Sequence, residues 1–276
     1  MAQLDGKTII ITGASAGIGA AGARQLHALG ADVMVVGRGP AKTAAVARDT
    51  GGRSLTVDMT SLAEVRRLAD DLLEQCPRID VLWNNAGGTF PQRLITMDGY
   101  ERTFQVNHLA PFLLTSLLRD RLAASVPARV VTTSSAGHAF GKINLNDLDS
   151  QHGHYSGNRV YGTSKLANIL FTRELARRAA GSDVTATCYH PGIVASDFGR
   201  DTVVVRAFYR AARGLMRGVD KGAETGVWLA SAPAGEWTSG LYYSDRSPGR
   251  TSKAARDETL ARELWGRSAQ MVGVPT

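Results

Sequence analysis

The chain has 276 residues, 43% of them hydrophobic, and carries a net charge of +7. That is enough for one large α/β domain with an ordinary globular core, which excludes a disordered chain. The longest apolar-looking run, 109–118, contains Pro111, Thr115 and Ser116 and is too short for a membrane span.

The first seven residues, Met1-Ala2-Gln3-Leu4-Asp5-Gly6-Lys7, contain no hydrophobic signal core, and a cytoplasmic location is expected. Apolar, β-branched runs then alternate with helical patterns. Strands are expected over 7–12, 32–37, 54–57, 80–83, 129–133 and 183–189. Helices are expected between them, over 18–29, 41–49, 62–75, 99–124 and 158–180. This alternation implies a doubly wound parallel sheet of Rossmann type, in a single domain spanning 1–276. Segment 137–157 is polar and reads as a loop, whereas 196–222 is helical in pattern, basic, and expected to form a substrate lid. A strand over 241–244 and a helix over 254–269 close the chain. Two isolated cysteines, Cys76 and Cys188, lack ligand spacing, so reduced thiols are expected and no metal site. Acidic residues interleave with the basic ones and no basic–aromatic alternation occurs, which argues against a nucleic-acid partner.

After the first strand, Thr12-Gly13-Ala14-Ser15-Ala16-Gly17-Ile18-Gly19 runs directly into a helix. Glycines allow a tight turn, and the helix N-terminus offers unpaired amides and the positive end of its dipole to a pyrophosphate. Gly13, Ser15, Gly17, Ile18 and Gly19 are therefore expected to bind a dinucleotide. At the end of the second strand, where an acidic residue would accept from the adenosine ribose of NAD, the chain has Arg38, with Lys42 close behind. A guanidinium can instead bind a 2′-phosphate bidentately, so NADP(H) is expected. Asp58 and Met59 close the third strand, and Asn85, Ala86 and Gly87 the fourth, on the rim where such sheets bind ligands.

Tyr161 and Lys165 are one helical turn apart and share a face. Bringing a tyrosine from its usual pKa of about 10 to near neutrality takes roughly 4 kcal/mol, which a neighbouring ammonium and an oxidised nicotinamide can supply together. Such a phenol exchanges a proton with a carbonyl or alcohol oxygen. Ser134 and Ser135 end the fifth strand, where a hydroxyl can donate to a developing alkoxide; Ser135 is the preferred candidate. Asn107 is a poor helix former in mid-helix, and its amide is expected to open the helix and hold a water beyond Lys165.

Together these residues resemble the short-chain dehydrogenase/reductase family over essentially the whole chain. The resemblance implies a catalytic tetrad of Asn107, Ser135, Tyr161 and Lys165. It also implies nicotinamide contacts from Pro191, Gly192, Val194 and Ser196, and a homodimer or homotetramer. The segments Tyr161–Leu175, His190-Pro191-Gly192 and Ser239–Asp245 are similar to the retinol dehydrogenase branch. That branch commonly has an arginine where Arg38 stands and acts on apolar alcohols, aldehydes and ketones.

His138, Phe140, Tyr155 and Phe198 lie beyond the strand ends and are expected to line the substrate pocket. Arg206, Arg210, Arg213 and Arg217 form a helical stripe on the lid. The expected activity is NADPH-dependent carbonyl reduction or the reverse alcohol oxidation, on an apolar, aromatic-tolerant small molecule. A catalytically silent NADP(H)-binding sensor is the alternative.

Overall fold

The computed structural model describes residues 3–152, 154–194 and 217–276. Most of the expected lid, including Ser196, Phe198, Arg206, Arg210 and Arg213, lies outside the described residues. The strands are β1 (Thr8–Thr12), β2 (Asp32–Gly37), β3 (Arg53–Thr56), β4 (Val81–Asn84), β5 (Ala128–Thr133), β6 (Val184–His190), β7 (Tyr242–Ser244) and β8 (Ser247–Pro248). They form one sheet in the order β3-β2-β1-β4-β5-β6-β7-β8. All neighbours are parallel except the terminal β7–β8 pair.

Alternate residues of the strands serve opposite layers. Ile9, Ile11, Val33 and Val35 pack beneath α1 (Gly17–His27) and α2 (Pro40–Asp49). Ile10, Met34 and Leu82 pack on the other face, under α3 (Leu62–Gln75) and the helices that follow it. This two-sided burial explains why β1 reads Thr-Ile-Ile-Ile-Thr without polar alternation. Both cysteines are buried free thiols.

The expected helix over 99–124 is broken into pieces. It begins at Arg102 with α4 (Arg102–Phe104), where the Glu101 carboxylate accepts from the Phe104 N–H at 2.7 Å. A π-helical turn, Gln105–Leu109, precedes α5 (Ala110–Leu117), and α6 (Arg119–Ala124) follows after Leu118. Pro111 has no N–H to give to the carbonyl of Asn107, four residues back, and the helix widens just before it.

Beyond α7 (Gly157–Arg178), a helix that sequence patterning missed, α8 (Val219–Ser231), covers the α1 side. Residues 219–222, assigned to the lid by sequence, thus open a layer helix. Glycines obscured its pattern, and Trp83 of β4 explains Gly226, as it does Gly22 of α1. The indole is fully buried, and a Cβ on Gly22 of α1 would lie 2.5 Å from its Cζ3. A Cβ on Gly226 of α8 would run into the same ring. The last helix, α9 (Glu258–Val272), starts four residues later than expected, because Asp257 caps it by accepting from the Leu260 N–H at 3.0 Å.

Gly226→Ala is expected to lower unfolding free energy by about 1–3 kcal/mol through overpacking against Trp83. Chemical denaturation should show a lower midpoint with an unchanged slope. An unaltered midpoint would show that the ring has room to move.

Candidate active site

The site is assembled where strands end. Gly13 (φ +66°) turns the chain out of β1, and a Cβ there would lie 2.7 Å from Ala86 Cα. A Cβ on Gly19 would lie 2.5 Å from the Gly13 carbonyl oxygen, so the turn, α1 and the end of β4 meet backbone to backbone. Thr12 locks this junction. Its hydroxyl oxygen accepts from the N–H groups of Asn85 and Ala86, both at 3.0 Å, while Asn85 Nδ2 donates to the Thr12 carbonyl at 3.0 Å.

Helix α1 has no side-chain cap at Ala16 and no acidic residue in its first turn. Its leading amides are therefore open to an anion. Ser15 approaches the end of β2, where a Cβ on Gly37 would touch its Cβ at 2.8 Å. Arg38, the next residue, is exposed at that strand end. Gly222 brings Val194 and Ile18 together, since its Cβ would lie 2.6 Å from Val194 Cγ2 and 3.3 Å from Ile18 Cγ1. The segment after β6, with Pro191 and Gly192 (φ +85°), therefore runs beside the glycine turn. Asp58 Oδ1 accepts from both the N–H and the hydroxyl of Thr60, at 2.9 and 2.8 Å. The Met59 side chain is buried in the core and turned from the rim, which leaves only its backbone for a ligand.

The second half of the site stands on β5 and α7. Ser134 points inward, donating to the Lys165 carbonyl at 2.8 Å, whereas Ser135 is partly exposed. Ser135 Oγ accepts from the Gly137 N–H at 3.1 Å, which leaves its proton for another acceptor. Gly137 separates it from Tyr161: a Cβ there would lie 3.4 Å from Ser135 Oγ and 3.3 Å from Tyr161 Cε1. Lys165 Nζ stands 5.6 Å from the centre of the Tyr161 ring and donates to the Thr133 carbonyl at 3.0 Å.

Burial pushes the Lys165 ammonium down to about 8 from the usual 10.5. A Cβ on Gly87 would lie 3.4 Å from Lys165 Nζ and 3.0 Å from Asn107 Oδ1, so Lys165 and Asn107 are close. Asn107 is wholly buried. Its Oδ1 accepts from the Gly88 N–H at 2.7 Å, and its Nδ2 donates to the Gly88 carbonyl and to Ser164 Oγ at 2.8 and 2.9 Å. The amide thus ties the loop after β4 to α7 directly.

The expected pocket walls do not gather in the same way. His138 is buried, not loop-exposed: its Nδ1 donates to the Ser135 carbonyl at 2.7 Å and its Nε2 accepts from the Ser252 N–H at 3.4 Å. The Tyr155 hydroxyl donates to Glu101 Oε1 at 2.9 Å, and burial raises it to about 12. Phe140 is 79% exposed. Arg217 pairs with Asp245 (Nη2–Oδ2 3.0 Å), and its N–H donates to the Ile193 carbonyl at 2.9 Å. Sequence reasoning missed Thr12, Thr133 and Ser164, whose signal was polar residues at fully buried strand-end and helix-face positions.

With this geometry in view, comparison with known proteins identifies the class. The family model described as short chain dehydrogenase matches residues 7–204. A Streptomyces sp. (strain C5) protein provisionally named daunorubicin C-13 ketoreductase DnrU is 45% identical over 276 residues, covering 98% of this chain and 94% of its own. Human retinol dehydrogenase 14 is 40% identical, covering 98% and 88%. The Pseudomonas aeruginosa RhlG/NADP active-site complex superposes with a TM-score of 0.71 at 27% identity, covering 87% and 94%. The chain belongs to the short-chain dehydrogenase family, in its retinol dehydrogenase-like branch. It is an oxidoreductase of alcohol and carbonyl groups that uses a nicotinamide cofactor. Among the described residues no helix is long and apolar enough to cross a membrane.

Lys165 gives a pH-dependent stability. Its folded pKa lies below the unfolded value, so the buried charge destabilises the fold fully below pH about 8. Between that value and 10.5 the unfolded chain binds more protons and stability rises with pH. Lys165→Met should therefore be more stable than wild type at pH 7 by roughly 1–3 kcal/mol, an advantage that shrinks above pH 8. Denaturation midpoints measured from pH 6 to 10 check this; a constant difference across that range would contradict it.

Proposed function

We propose that the protein is an NADP(H)-dependent carbonyl reductase, or alcohol dehydrogenase in reverse, acting on an apolar ketone, aldehyde or alcohol with room for an aromatic group. The observation that carries the reading is the convergence of Ser135, Tyr161 and Lys165, with Asn107 behind them, at the strand ends beside the glycine turn.

The residues present fit a dinucleotide phosphate. The uncapped N-terminus of α1 would take the pyrophosphate, and exposed Arg38 the 2′-phosphate. The second carboxylate oxygen of Asp58 would accept from the adenine amino group, and the backbone of Met59, Ala86 and Gly87 would give close approach. Pro191, Gly192 and Val194 line the nicotinamide end, where Ser196 is also assigned. When bound, the cofactor supplies or accepts the hydride at the substrate carbon.

Tyr161 then gives its proton to the carbonyl oxygen during reduction, or removes the hydroxyl proton during oxidation. Ser135 donates to the same oxygen with the proton that Gly137 leaves free, offsetting its developing charge. Lys165, a desolvated ammonium, favours the phenolate of Tyr161 and has reach to sugar hydroxyls on the cofactor. Asn107 holds the Gly88 backbone and Ser164, which sets the distance between the β4 loop and α7. Support for the cofactor choice also comes from the NADP complex of RhlG. Ketone reduction and retinol oxidation, named for DnrU and retinol dehydrogenase 14, are the two directions of this chemistry. Phe140, exposed at the rim, and Phe198 are assigned to the substrate wall; His138 and Tyr155, already hydrogen-bonded, act there as packed surfaces.

Tyr161→Phe should lower turnover by about 10²–10⁴-fold while NADPH still binds, as read by steady-state kinetics and by nucleotide fluorescence titration. Near-normal turnover in this variant would refute the assignment. Arg38→Ala should weaken NADPH roughly ten- to hundredfold and leave NADH little changed, the loss expected for a charge-assisted pair. Equal weakening of both nucleotides would show that Arg38 does not read the 2′-phosphate.

A further inference from the structure

The described core contains a chain of polar groups that reaches the site from the C-terminal helix and that the proposed reaction does not use. The Thr133 carbonyl, at the end of β5, accepts from Lys165 Nζ at 3.0 Å and from Asn168 Nδ2 at 3.4 Å. Asn168 Oδ1 faces His108 Nδ1 at 3.3 Å, and His108 Nε2 faces Ser268 Oγ at 2.8 Å, on α9. Asn168, His108 and Ser268 are 2%, 1% and 0% exposed.

Chemistry dictates every direction in this chain. A carbonyl only accepts, so the Asn168 amide must present Nδ2 to Thr133 and Oδ1 to His108. Oδ1 only accepts, so His108 carries its proton on Nδ1. Nε2 is then an acceptor, and the Ser268 hydroxyl must donate to it. All three bonds point toward Thr133, an arrangement in which each bond polarises the next. Burial holds the His108 imidazole neutral, at about 4, so this tautomer persists across the working pH range. The rings of Phe104 and Phe112 wall it off, 5.1 and 6.1 Å away.

We propose that Asn168, His108 and Ser268 are positioning residues: they fix the Thr133 carbonyl beneath Lys165 and couple the C-terminal helix to the reacting end of the site. The inference rests on the function proposed above only for its kinetic consequence. An ammonium removed from water keeps its proton through the acceptor that is held for it. Release of the Asn168 amide frees that acceptor to move, while Lys165 stays desolvated. Among the described residues the titratable group facing Lys165 is Tyr161, and burial is the cause acting on the ammonium. A change in the Lys165 titration therefore reports on the acceptor, which packing alone would not alter.

The test is an NMR titration of Lys165 in the full chain, carrying isotope-labelled lysine and assigned with Lys165→Met, alongside steady-state kinetics. Asn168→Leu should move the Lys165 midpoint down by about one pH unit, and Ser268→Ala by about half of that. Ser268→Thr, which restores the hydroxyl, should return it to the wild-type value. At pH 9, above both midpoints, turnover should fall by about tenfold in Asn168→Leu, in step with the lost charge, against about twofold at pH 7. If Asn168→Leu does not fold, the Ser268 pair decides alone. A Lys165 midpoint that stays at the wild-type value in the variants, whatever happens to melting temperature or turnover, overturns the proposal. A midpoint that shifts in a chain that reduces no carbonyl compound leaves this coupling standing and defeats the proposed function.

Discussion

The arrangement depends on a lysine ammonium held out of water by one backbone carbonyl. Lys165 is 3% exposed, and its ammonium donates to the Thr133 carbonyl. Burying a charge with so little compensation is costly, and a fold retains such a group only where packing around it is fixed. The fixing is visible on every side. Ser134 bonds the Lys165 carbonyl, and Thr133 Oγ1 accepts from Trp83 Nε1 at 3.1 Å. Asn107 ties the β4 loop to Ser164, on the same helix as Lys165.

The sheet makes this possible because its parallel strands all end at one rim. β1 delivers the glycine turn, β4 the Asn85–Gly87 backbone, β5 the serines and the Thr133 carbonyl, and β6 the Pro191-Gly192 turn. Trp83 then brings the two halves into register. Its ring fills the space vacated by Gly22 and Gly226, and its indole N–H reaches β5. The candidate binding and reacting residues are thereby carried on rigid elements, as a site with small positional tolerance requires.

Much of this was legible in the sequence. The parallel α/β sheet followed from apolar strands without alternation, and helix 62–75 was read at its observed bounds. Ser61 marks its start by accepting from the Glu64 N–H at 3.2 Å. The phenol–ammonium pair and the glycine turn were readable because they depend on local spacing. Harder to read were features set by tertiary partners. α8 was hidden by Gly222 and Gly226, which answer to Val194 and Trp83 on other elements, and the π turn by a proline acting on Asn107. His138 and Tyr155 looked like loop residues facing a ligand, but Ser252 and Glu101 claim their polar atoms. The chain from Ser268 to Thr133 joins four elements distant in sequence, and periodicity carries no trace of it.

The central claim is that this site moves a hydride between a nicotinamide and a carbonyl carbon while a side chain handles the proton. Deuteride transfer tests it most directly. Incubation with NADPH deuterated at C4 and a panel of apolar and aryl ketones, followed by mass spectrometry, should place one deuterium on the carbinol carbon, with a solvent-derived proton on oxygen. Alcohol product with no deuterium on that carbon from either face-labelled cofactor, or no product from any carbonyl compound, would contradict the account.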